Sequence, residues 1–197
     1  MTNRSYLSGI GVFLFFALLS VACTNRATMS GATTWRSFNS PTIGYFAMDY
    51  PSDWQSDRFP GGYRGDDEAI ALFYATDALF PAVRIARREF LAPTLEEVAA
   101  WGEARIMALN PDSDDQYELF PLLEETIPAG EVLSREYMID LETPLPLMKK
   151  DIYIAREQDG IILTFTTVRD RYEDEKAILE HMVASLRLLD TGSTNAP

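Results

Sequence analysis

Three hydrophobic patterns follow one another along this chain. Residues 7–21 are apolar or small without a break, with Phe13, Leu14, Phe15, Phe16, Leu18 and Leu19 at the centre. Residues 24–40 are rich in Thr, Ser, Asn, Gly and Ala, and their only large apolar side chains are Met29, Trp35 and Phe38. From Pro41 to Leu189 apolar positions recur with the periods of strands and helices. That span is ~150 residues, the usual size of one domain. Residues 190–197 are again small and polar, so a disordered tail is expected there.

Within the domain, Phe46, Met48 and Tyr50 alternate with Ala47 and Asp49, the period of a half-buried strand. Pro51 ends it, because proline cannot donate to a ladder. Ile70, Leu72 and Tyr74 predict a second strand, Val83 and Ile85 a third, and residues 131–140 a fourth. Residues 151–155 and 161–168 flank Gln158-Asp159-Gly160. Asp-Gly tolerates positive φ, so this reads as a hairpin. Thr94-Leu95-Glu96-Glu97 has the spacing of a capping box, ahead of Leu95, Val98, Gly102, Ile106 and Leu109 at helical intervals. Asn110-Pro111 stops that helix. Asp170-Arg171-Tyr172-Glu173 repeats the capping spacing before Ile178, Leu179, Met182, Leu186 and Leu189. The fold class is therefore α+β, an antiparallel sheet covered by helices.

The apolar run at the start holds 15 residues, short of the ~20 that span a bilayer as a helix. With Arg4 before it, residues 1–22 read as a secretory leader. The run closes on Leu19-Ser20-Val21-Ala22-Cys23, which resembles a bacterial lipobox, with Ser20 where Leu is commoner. Such a Cys is lipidated at its sulfur and becomes the first residue. The expected layout is a leader over 1–22, lipidated Cys23 with a flexible tether over 23–40, a domain over 41–189 and a tail over 190–197. The bland reading of Cys23 is a free thiol in an uncut signal anchor. The lipobox reading places the chain outside the cytoplasm, periplasmic or at the cell surface, held to a membrane by lipid.

Composition narrows the chemistry. One Cys and one His exclude a disulfide framework, a Cys-rich zinc site and an HExxH protease. The formal charge of −13, which becomes −14 once Arg4 leaves with the leader, argues against nucleic acid and anionic lipid as partners. Neither a cofactor nor a metal is expected. His181 sits at the edge of the last helical stripe and reads as a packed imidazole rather than a ligand. Asp112, Asp114, Asp115 and Glu118 crowd one loop and Asp66, Asp67 and Glu68 another, but neither has the order of a calcium loop. Trp54, just past a strand end, reads as a cap on the core. The segment Pro144-Leu145-Pro146-Leu147-Met148 is apolar and stiffened by two prolines. Leu145, Leu147 and Met148 are the expected protein-contact residues, and the alternative is that they fold over the sheet edge.

Gly44-Tyr45-Phe46-Ala47-Met48-Asp49-Tyr50-Pro51-Ser52-Asp53-Trp54 resembles the opening of PsbP-like domains, as found also in DcrB-type bacterial lipoproteins. The middle helix, the hairpin ending Ile162-Leu163-Thr164-Phe165 and the final Val183-Ala184-Ser185-Leu186 fit the same pattern. The resemblance implies an α/β/α sandwich with a central antiparallel sheet. It also implies a binding or assembly factor without a shared catalytic residue, so no enzyme activity is expected. The competing expectation is a small-ligand carrier or enzyme, with an apolar pocket lined by residues such as Phe46, Met48 and Phe165.

Overall fold

In a computed structural model, residues 33–62, 68–109, 117–139 and 145–189 are described. The expected leader, Cys23 and the expected tail lie outside them. Strands β3 (Trp54–Arg58), β4 (Ala69–Ala75), β5 (Ala82–Glu89), β6 (Tyr117–Leu119), β7 (Leu123–Ile127), β8 (Gly130–Ile139), β9 (Leu147–Ala155) and β10 (Asp159–Val168) form one antiparallel sheet. Its order is β3-β4-β5-β10-β9-β8-β6, with β7 also pairing β8. Strands β1 (Trp35–Ser40), β2 (Phe46–Pro51) and β11 (Arg187–Leu188) form a second, smaller sheet. Helix α1 (Leu95–Leu109) packs on one face of the large sheet, and α2 (Tyr172–Ser185) with the small sheet packs on the other. This is the expected α/β/α sandwich.

The side-chain period of two divides the central strands between the layers. Ile152, Ile154, Leu163 and Phe165 point to the α2 side, where they join Phe46, Met48, Phe73, Ile178, Leu179 and Met182 in the larger core. Tyr153 and Ile162 point to the α1 side and meet Val98, Ala99 and Trp101. Both central strands are covered on both faces, so their sequences run apolar without alternation.

Helix α1 starts as its sequence predicts. The Glu97 amide donates to Thr94 Oγ1 at 3.2 Å, and the Glu97 carboxylate accepts from the Thr94 amide at 2.8 Å. The second capping reading fails. Arg169–Arg171 forms a 3₁₀ turn, and α2 begins at Tyr172 with no side-chain cap. Leu186 already has extended backbone, so Leu189 lies beyond the helix.

Other boundaries also differ. The expected tether ends sooner, because Trp35–Ser40 pairs along the whole of β2 and buries Phe38 against Phe46 and Phe73. In β4 the buried side chains are Ala69, Ala71 and Phe73, one residue out of phase with the predicted Ile70, Leu72 and Tyr74. The β9–β10 turn closes earlier than Asp-Gly, with the Arg156 amide donating to the Asp159 carbonyl at 2.9 Å. Gly160 lies in β10, and its value is space. A Cβ there would come 2.8 Å from Val98 Cγ2 of α1.

Candidate functional site

Strand register builds a polar row on the α1 face. Arg84 of β5 stands opposite Thr164 of β10, Thr164 opposite Asp151 of β9, and Asp151 opposite Arg135 of β8. The neighbouring Lys149 faces Tyr137. The first half of α1 covers the apolar rows, and its second half brings Arg105 and Ile106 over this polar one. Arg84, Thr164, Asp151, Lys149, Tyr137 and Arg105 line a cavity of ≈ 20 Å³; Arg135 lies outside it.

Asp151 is fully buried and is the carboxylate at the centre of the row. It accepts from Tyr137 Oη and Tyr153 Oη, each at 3.3 Å. Burial raises its pKa, against the Thr164 hydroxyl and the nearby Lys149 and Arg84 charges. Burial also lowers Lys149 to about 8, helped by Arg84 and opposed by Asp151. The Lys149 ammonium sits 5.9 Å from the centre of the Tyr137 ring. Tyr137 is pushed well above its ordinary value by burial and then by Asp151.

A carboxyl shifted up beside an amine shifted down is a pattern that active sites share. The space between these groups is small. The cavity has room for about one water, whereas small-molecule sites run to ~300–1,000 Å³. Among the described residues this is a buried polar network between α1 and the sheet, and at its β8 end Arg135 Nε is buried without a hydrogen-bond partner.

A second buried carboxylate, Asp159, is clamped by two arginines. Arg87 Nε donates at 2.6 Å, and Arg156 donates through both Nε and Nη2. Arg156 Nη1 also reaches the Tyr45 carbonyl at 3.2 Å, tying the hairpin to the small sheet. Glu68 accepts from Trp101 Nε1 at 3.0 Å and Arg105 Nη1 at 2.6 Å.

The expected contact residues separate. Met148 is buried in the α2-side core, Leu147 is half-buried in β9 opposite Ile139 and Val168, and Leu145 is 58% exposed. For Met148 the alternative holds, because strand β9 begins before it and turns its side chain inward. Phe46, Met48 and Phe165 are at most 1% exposed and pack within the α2-side core. Trp54 is buried at the start of β3, as its position suggested. His181 is exposed and stacks on Trp35, ring centres 3.6 Å apart. Residues 112–116 of one acidic run, and Asp66 and Asp67 of the other, lie outside the described residues.

The Asp151 row escaped the sequence reading. Its one signal was Lys149-Lys150-Asp151, three consecutive charges opening a strand that is otherwise apolar.

Layer order, sheet topology and the two helices define a PsbP-like α+β fold. Cyanobacterial PsbP from Synechocystis sp. PCC 6803 shares it, with a TM-score of 0.61 and 14% identity over 81% of this chain and 95% of that one. A variant of the protein Mog1 matches with a TM-score of 0.51 and 13% identity, over 80% of this chain and 97% of its own. LpqN, described as involved in cell envelope biogenesis of Mycobacterium tuberculosis, matches at 0.51 and 9% identity, over 83% and 95%. No family model and no curated protein matches the sequence.

Proposed function

We propose that this chain is a non-catalytic, protein-binding module held on the outer side of a membrane by lipid on Cys23. The carrying observation is the polar row itself. It brings a carboxyl shifted up by burial beside an amine shifted down to about 8, yet leaves room for about one water between them. The fold it shares with PsbP, Mog1 and LpqN supports a scaffold role, and the work of LpqN in the cell envelope suits a surface lipoprotein. The acidic surface leaves proteins as the favoured partners.

The test has two arms. Replacing Cys23 by Ser should release the chain from membranes; a variant that stays fully membrane-bound and keeps residues 1–22 refutes the lipid reading. Crosslinking the native chain in intact cells should capture one discrete protein. A co-purifying apolar small molecule, bound one to one, would instead favour the carrier.

A further inference from the structure

The described chain enters the fold at one end of the sandwich. The Ser52 amide donates to the Thr34 carbonyl at 2.8 Å, and the Thr34 and Ser52 hydroxyls touch. The adjoining Asp53 carbonyl accepts from Thr76 Oγ1, at the start of the β4–β5 loop. That loop carries Leu79, 83% exposed. One residue on, the Phe80 carbonyl accepts from Arg171 at 3.2 Å. Beside Arg171 in the same 3₁₀ turn, the Arg169 amide donates to the Pro146 carbonyl at 2.9 Å, next to Leu145. A continuous run of contacts thus joins the entry point to two outward leucines.

Register places both leucines at the same end of the large sheet. Ala82, after the first loop, pairs with Thr166, and Val168 pairs with Leu147, after the second. One strand, β10, separates them, so the two loops stand ~10 Å apart.

We infer that this end is a membrane-contact rim, with Leu79 and Leu145 seated in the lipid interface beside the anchor. The inference rests on the lipidated Cys23 proposed above, and chain length selects the end. Ten residues separate Cys23 from Thr34. Fully extended, they reach no more than ~40 Å. The far end of the sheet lies a ten-residue strand away, or ~33 Å. Turning that end to the membrane would consume nearly the whole reach, whereas the entry end needs almost none of it. Charge does not select the end: Arg36, Arg169 and Arg171 are matched by Asp53, Asp77 and Asp170, and the first turn of α2 adds Glu173, Asp174 and Glu175. Burial of the leucine side chains, not attraction to anionic lipid, then supplies the contact. The expected contact residue Leu145 is thereby assigned to lipid rather than to a protein.

The single native Cys is the one that carries the anchor, so an introduced thiol is a unique label. The full-length variants Leu79→Cys, Leu145→Cys and, at the opposite end, Glu157→Cys are purified with their lipid. Each is labelled with an environment-sensitive fluorophore and reconstituted in phosphatidylcholine vesicles with or without spin-labelled phosphatidylcholine. Labels at 79 and 145 should lose at least about half their emission to spin-labelled lipid, as expected ~5–10 Å into the interface, and the label at 157 should lose none. Equal emission with and without spin label at 79 and 145, on protein whose mass shows the lipid on Cys23, overturns the rim alone. Shielding from aqueous iodide without lipid quenching also overturns it, because a second copy then covers the leucines. A mass without lipid on Cys23 overturns the anchor, and the rim with it.

Discussion

Gly102 sits in the middle of α1, and its replacement by alanine is expected to destabilise the domain. Two effects oppose each other. Alanine in a helix interior is favoured over glycine by ~1 kcal/mol. At this position, however, a Cβ would clash with Tyr153 Cε1 at the ring edge and come 3.2 Å from Ile162 Cδ1. Both side chains are 1% exposed, so neither has space to yield. Overpacking of that kind costs ~1–3 kcal/mol and sometimes more. The backbone must lift instead, moving α1 away from the polar row that its second half covers. The clash therefore exceeds the propensity gain, and Gly102→Ala should lower the melting temperature by several degrees, at ~2–4 °C per kcal/mol for this size. The same change in a Tyr153→Leu background removes the obstructing ring and should be neutral or stabilising. Urea unfolding followed by circular dichroism on the four proteins gives the coupling directly, with ~1–3 kcal/mol expected. A Gly102→Ala protein that melts higher than the wild type would refute the close seating of α1 on the sheet.

Two further outcomes follow from the buried charges. Burial holds Lys149 at about 8 against 10.5 when unfolded, so between those values the unfolded chain binds more protons and this group makes stability rise with pH. Lys149→Met should raise the urea midpoint at neutral pH and flatten its rise above about pH 8; parallel pH curves for the two proteins would show the lysine to be well solvated. Asp159→Asn leaves Arg87 and Arg156 without their shared carboxylate and should cost ~3–5 kcal/mol in urea unfolding, where a loss below ~1 kcal/mol would mean that the clamp is solvent-screened.

The helices were legible because their signals are local, whereas the α/β/α layer order came from the resemblance to PsbP-like domains. Thr94 and Glu97 sit three apart and cap each other, and Ile178, Leu179 and Met182 repeat at helical spacing on the buried face. Asp170 and Glu173 have the same spacing without the cap, because the chain leaving β10 first makes a 3₁₀ turn that ties Arg169 to Pro146. That contact extends the pairing of β10 with its neighbour β9 and leaves no trace at residue 170. Strand β1 was hidden for a similar reason. Its Ser-Phe-Asn-Ser stretch is polar, but pairing with β2 satisfies its backbone and lets one side chain, Phe38, reach the core. Gly160 misled because Asp-Gly usually marks a turn, whereas here the glycine makes room for Val98. The Asp151 row was invisible because it assembles from four strands, each giving one polar residue to a covered face.

Where the positive charges go links this interior to the surface that partners meet. Arg87 and Arg156 point at Asp159, Arg105 at Glu68, Arg135 at Glu103 and Lys150 at Glu125. All five cations are less than a quarter exposed. Basic side chains, already outnumbered 17 to 30 by acidic ones, are drawn inward to neutralise carboxylates at the seams between layers. These five cations share four carboxylates, so setting them aside leaves the rest of the chain no less acidic than its composition implies. An anionic membrane would repel the body of the domain at short range, and the proposed lipid anchor and apolar rim would give a means of attachment that charge does not oppose. The same field favours a partner that is neutral or basic where it meets the domain. It would speed that encounter at low salt and do so less as ionic strength rises.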